Sequence, residues 1–102
     1  MSLHNLAETI AQRRGADPEE SWTARLLSDP EKATRKFGEE ALEAMIEAIK
    51  GSRHDLTLEA ADVVYHLLVM CAARGVTLSD IEAELARRTG QGGLAEKAAR
   101  GR

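Results

Sequence analysis

Two runs of acidic residues at helical spacing stand out. Glu39, Glu40, Glu43 and Glu47 lie in one stretch, and Asp55, Glu59, Asp62 and His66 in the next. Residues three and four apart share a helix face, so Lys36, Glu40, Glu43 and Glu47 form one polar stripe and Asp55, Glu59, Asp62 and His66 a second. Gly51-Ser52 separates them. If the chain folds back antiparallel there, Glu43 and Glu59 stand level, each about 12 Å from the turn at a rise of about 1.5 Å per residue. Glu40 and Asp62 stand level one turn further out, so four carboxylates converge when the stripes face each other. Like charges ~4 Å apart repel by roughly 4 kcal/mol at an effective dielectric of about 20. Such a cluster opens to solvent, takes up protons or holds a cation, and a hard divalent cation with oxygen ligands is its natural occupant.

Acidic stripes are also the ordinary form of a solvated helix face. The second stretch weighs against that reading. From Leu56 to Ala73 it is apolar nearly all round, with Val63, Val64, Leu67, Leu68, Val69, Met70 and Cys71 covering most of its circumference. That pattern predicts a buried helix, on which Glu59 and Asp62 are costly without a partner. Between Glu39 and Asp62 there are seven acids against two bases, Lys50 and Arg53, while Lys32, Arg35 and Lys36 cluster just upstream. Acids beside bases suit a metal–phosphate ligand, the acids holding the metal and the bases meeting phosphate oxygens. Ordinary helix solubilisation accounts for the bases equally well.

The elements that must carry these residues are all helical. Leu3, Leu6, Ala7, Ile10 and Ala11 repeat with a helical period up to a stop at Gly15. Ser21 caps a short helix to Leu27. Asp29-Pro30 pairs an N-cap with proline at the first helical position and predicts a long helix over 30–50. Gly51 serves as its C′ residue. Ser52 and Asp55 fit a capping box opening a helix over about 53–74, and Thr77 with Asp80 repeats the device for a last helix to about Arg88. Residues 1–88 are the expected domain and 89–102, rich in glycine and small residues, a flexible tail. No strand-like alternation appears. The fold class is all-α, a bundle of four to five helices built on the antiparallel pair 30–50 and 53–74.

At 102 residues with one Trp, one Tyr and one Phe, the core is expected to be aliphatic. A long apolar helix in so short a chain predicts that a second subunit supplies part of its cover. The net charge of −3 argues against a nucleic-acid surface. Cys71, the one cysteine, excludes an intramolecular disulfide and reads as core filler. Residues 1–14 lack the apolar region of a signal peptide, and the longest apolar run reads as too short to span a bilayer. A cytoplasmic location is expected.

Glu39-Glu40-Ala41-Leu42-Glu43 followed by Glu59-Ala60-Ala61-Asp62 resembles the EExxE…ExxD motif of the all-α nucleotide pyrophosphohydrolases, the MazG-like superfamily. More narrowly, Ser21-Trp22-Thr23 through Leu27, Lys36-Phe37-Gly38-Glu39-Glu40, and Glu59 through Tyr65-His66 resemble the phosphoribosyl-ATP pyrophosphohydrolases of histidine biosynthesis, over roughly Leu3 to Arg88. The chain departs from that pattern at Trp22, where tyrosine is usual, at Asp29-Pro30-Glu31, in place of a glycine-containing link, and after Arg88.

The resemblance implies hydrolysis of the α–β phosphoanhydride bond of phosphoribosyl-ATP to phosphoribosyl-AMP and pyrophosphate, with Mg²⁺. It implies Glu40, Glu43, Glu59 and Asp62 as metal ligands, and Glu39, Glu40 and Glu43 as the catalytic set. Glu39 is open between a further ligand, a base that orients water and a polar neighbour. Lys36, one turn before Glu40, is placed to meet a phosphate oxygen, with Lys32 and Arg35 as lesser candidates. Trp22 and Thr23 are the remaining substrate-binding candidates, Trp22 either stacking on a base or packing in the core. His66 is open between a proton or phosphate role, a hydrogen bond behind the ligands and a core histidine. A homodimer is the expected assembly. The competing readings are a MazG-type pyrophosphatase of free nucleoside triphosphates and a non-catalytic helical dimerisation module.

Overall fold

A computed structural model describes residues 1–89. They form five helices: α1 (Leu3–Gln12), α2 (Trp22–Leu27), α3 (Pro30–Lys50), α4 (Arg53–Ala73) and α5 (Leu78–Thr89). No strand occurs among the described residues. Thr89, expected to begin the tail over 89–102, instead closes α5, and 90–102 lie outside the described residues.

Side-chain caps set the helix starts. Ser2 and Asn5 make a reciprocal box at α1. The Ser21 hydroxyl accepts from the Ala24 amide at 3.1 Å, and the Asp29 carboxylate accepts from the Lys32 amide at 3.2 Å, ahead of Pro30 in the first turn of α3. Ser52 accepts from the Asp55 amide at 3.0 Å. Thr77 and Asp80 satisfy each other's amides at 3.1 and 2.9 Å. Each cap satisfies a backbone donor that a helix start leaves orphaned.

The stops are less uniform. Gly75 takes φ +78 and Gly15 φ +89, the left-handed backbone that glycine reaches without a Cβ penalty. Gly51 departs from the expected left-handed C′ geometry. It caps α3 at φ −93, ψ −175, an extended link that passes directly into the Ser52 cap. Its lack of a side chain matters for space instead, because a Cβ there would meet the Glu47 carboxylate at 1.8 Å.

The two 21-residue helices pack antiparallel as a hairpin, and the smaller helices gather around its open end: α2 on α3 and α4, α1 on α4, and α5 on α1. The core is Ile10, Leu26, Leu27, Ala33, Leu68, Val69 and Leu78. It therefore holds the start of α3 and the later half of α4. The half near Gly51 carries little cover. α4 buries only His66, Leu68 and Val69, so the expectation of a buried helix fails within one chain. Leu42, Met45, Ile46, Ile49 and Leu58 stay exposed, Ile49 at 84%. The physical reason is length: α1, α2 and α5, of 10, 6 and 12 residues, cannot cover two helices that each span roughly 32 Å. α4 is also, by length and composition alone, apolar enough to cross a membrane, against the sequence-based expectation; here it is the central packing element of a bundle.

Candidate active site

The hairpin register brings carboxylates from both long helices together. Glu40 and Glu43, three apart on α3, and Glu59 on α4 each offer an oxygen, and these oxygens lie within 4.8 Å of one another. Glu40 and Glu59 are half-buried and Glu43 exposed. One oxygen of Glu59, Oε2, is buried without a hydrogen-bond partner. Asp62 does not join the three. It is exposed, which removes the burial cost expected of it, yet its charge still acts on both Glu40 and Glu59.

Crowded acids bind protons more tightly. Burial raises the Glu40 carboxyl above its ordinary value of 4.5, and Glu43 and Asp62 add to the effect while His66 and Lys36 oppose it. Burial likewise raises Glu59, followed by the close approach of Glu43 and then the charges of Asp62 and Glu40. Interacting carboxyls of this kind titrate as a unit. A divalent cation removes the same repulsion, and the donor set fits one: all oxygen, hard and anionic, with a buried oxygen left over. Magnesium is therefore compatible with the residues present, and Glu40, Glu43 and Glu59 are the ones placed to hold it.

The bases and the α2 residues sort into three groups. Lys36 lies beside the carboxylates, its ammonium 3.0 Å from Glu39 and 3.9 Å from Glu40. The Glu39 hydrogen bond, then its charge, holds Lys36 above its ordinary pKa of 10.5, so it stays cationic. Arg35 lies about 100° further round α3 and pairs with exposed Glu31 at 3.3 Å rather than with the clustered carboxylates. Lys32 sits 5.1 Å over the ring of Trp22, a cation–π contact that leaves Trp22 43% exposed rather than in the core. Thr23 hydrogen-bonds the Tyr65 hydroxyl, tying α2 to α4 one residue from His66. His66 is buried, its Nδ1 2.8 Å from the Asp62 carbonyl. Tyr65 packs edge-on against it with ring centroids 4.9 Å apart.

Sequence pattern alone assigns Tyr65 no role. A tyrosine in an apolar helical run reads as core, and its bond to Thr23 joins residues 42 apart, which no local pattern announces.

Fold and site together define an all-α protein in which the two arms of a helical hairpin bring three carboxylates together. The family model described as phosphoribosyl-ATP pyrophosphohydrolase matches residues 3–89. Phosphoribosyl-ATP pyrophosphatase of Paracoccus denitrificans is 68% identical over 99 residues, covering 96% of this chain and 92% of the relative. The protein of the same name from Jannaschia sp. is 68% identical, covering 96% and 97%; that of Ruegeria pomeroyi is 65% identical, covering 96% and 94%. The chain belongs to the phosphoribosyl-ATP pyrophosphohydrolase family, a family of hydrolases.

Proposed function

We propose that this chain hydrolyses the α–β phosphoanhydride bond of phosphoribosyl-ATP, giving phosphoribosyl-AMP and pyrophosphate at the second step of histidine biosynthesis in the cytoplasm. We place the activity in residues 1–88, with Mg²⁺ held by Glu40, Glu43, Glu59 and Asp62. The observation that carries this reading is the convergence of three carboxylate oxygens from two helices within 4.8 Å. Family membership supplies the substrate, since the relatives carry its name.

When bound, the ion neutralises charge on the phosphate oxygens and polarises the phosphoryl group for attack. The chain's own residues do the remaining work. Glu40 and Glu43 come from α3 and Glu59 from α4, so the grip on the ion depends on the hairpin staying closed. Asp62, exposed one turn from Glu59, would complete the set. Lys36 meets a phosphate oxygen as a fixed cation. Glu39 serves it there: the 3.0 Å bond holds the ammonium beside the carboxylates. Lys32 and Trp22 form a cationic aromatic platform on the α2 side, suited to the base or the ribose phosphates. Thr23 and Tyr65 hold that platform's helix against α4.

The exposed apolar face of Leu42, Met45, Ile46 and Ile49 on α3, with Leu58 on α4, supports a homodimer in which a second copy covers the inner half of the hairpin.

A substrate panel tests the assignment. Pyrophosphate release with Mg²⁺ from phosphoribosyl-ATP is expected to exceed that from ATP, dCTP and dUTP by at least ~100-fold in kcat/KM, the discrimination that a site hydrogen-bonding the extra ribose phosphate can supply. Equal or faster turnover of a free triphosphate would move the chain to general nucleotide pyrophosphatase activity. No release from any of them would leave the dimerisation module.

A further inference from the structure

His66 is the one buried polar residue among the described residues, at 7% exposure. Its two ring nitrogens are treated differently. Nδ1 lies 2.8 Å from the Asp62 carbonyl, an acceptor only, so Nδ1 carries a hydrogen, and in the neutral ring Nε2 is an acceptor. Nε2 is buried and meets no donor. A buried acceptor without a donor costs free energy that an apolar side chain of the same size would avoid. As a core filler, His66 would be a poor choice.

Its setting faces the carboxylates. His66 lies on the Glu59–Asp62 stripe of α4 and, counted from Gly51, stands level with Lys36, one turn beyond Glu40 and Asp62. The ring lies near enough to the Glu40 carboxyl for the two to interact. Lys36, the donor at that level, gives its closest contact to Glu39. The imidazole cannot swing freely, because Tyr65 packs edge-on against it at 87° and is itself held by Thr23.

We propose that His66 is a positioning residue: the Asp62 carbonyl fixes its tautomer, and Nε2 accepts from a water whose other hydrogen goes to Glu40, turning that carboxylate toward Glu43 and Glu59. The inference rests on the reading of the carboxylate cluster as a divalent-cation site. Hydrogen bonding behind a ligating carboxylate sets the ligand's direction, and losing it lowers metal affinity by about 10–100-fold.

The test is calorimetric titration of the full chain with Mn²⁺ alone, without substrate, on the unchanged protein and two variants. His66→Asn keeps a donor for the Asp62 carbonyl but has no atom at Nε2. His66→Gln restores a polar group near that point. With both folded by circular dichroism, His66→Asn is expected to bind Mn²⁺ about 10–100-fold more weakly, and His66→Gln to recover most of the loss. Equal affinity of His66→Asn and the unchanged protein would overturn the proposal while leaving the cation site standing, as would an equal loss in both variants. Absence of Mn²⁺ binding by the unchanged protein would overturn the cation reading and this inference together. If His66→Asn does not fold, His66→Gln decides alone: affinity within about threefold of the unchanged protein supports the proposal, and a loss of the order expected for a missing positioning group overturns it.

Discussion

Glu40 and Glu59 pull against the fold that assembles them. Their carboxyls have a higher proton affinity in the folded chain than in the unfolded one. A raised carboxyl pKa contributes stability that is complete below the ordinary value of 4.5 and is lost as pH rises through the folded value. Glu84 and Asp80 run the other way. Hydrogen bonds from Arg87, then Arg88, hold Glu84 down to about 2, and the Thr77 bonds lower Asp80, so both stay in their stabilising form above pH 5. With cations removed by chelator, the melting temperature is therefore expected to be higher at pH 5.5 than at pH 8, and Glu40→Gln to shrink the difference. A flat or reversed profile in thermal denaturation would contradict the crowding of these acids. Part of this was legible beforehand: equal spacing about Gly51 placed Glu43 opposite Glu59. The exposed position of Asp62 was not, because helical periodicity gives the face a residue shares and not how far the partner helix covers it.

The caps made the elements legible. Asp29-Pro30, Ser52 and Thr77–Asp80 start helices at Pro30, Arg53 and Leu78, where side-chain acceptors of the right type stand before helical runs. The Gly51 link escaped because an extended glycine and a left-handed one look alike in sequence. α2 depends most on tertiary packing: six residues cannot sustain a helix alone, so Leu26, fully buried, and Leu27 must anchor it. Leu26→Ala is expected to destabilise the protein by about 2–5 kcal/mol in urea denaturation. A loss below about 1 kcal/mol would mean that α2 is not seated in the core as described. Since α2 carries Thr23 and Trp22, its loosening is also expected to raise KM for the nucleotide.

At the scale of the whole molecule, the uneven cover of the hairpin is the ground for the proposed dimer. The expectation that α4 is buried was wrong for a single chain, and it was wrong in an informative direction. An apolar face of large side chains left bare on one half of the bundle is the usual mark of an interface. Sedimentation at micromolar concentration is expected to give twice the mass of the chain, and Met45→Glu with Ile49→Glu to give a monomer with a lower melting temperature. A monomer from the unchanged protein at every concentration would leave the bare face without an occupant of its own kind. Composition had pointed this way, since a 102-residue chain has few helices to spend on covering two long ones.

The proposed grip of the two helix arms on magnesium ties residue, element and assembly together. The most direct measurement is the initial rate of pyrophosphate release from phosphoribosyl-ATP across a magnesium titration, for the unchanged protein beside Glu43→Gln and Asp62→Asn. The expected result is no turnover without the ion and a loss of at least ~100-fold in each variant, equivalent to about 2.7 kcal/mol of transition-state stabilisation. Turnover that persists in chelator, or variants that match the unchanged protein, would contradict the carboxylate site.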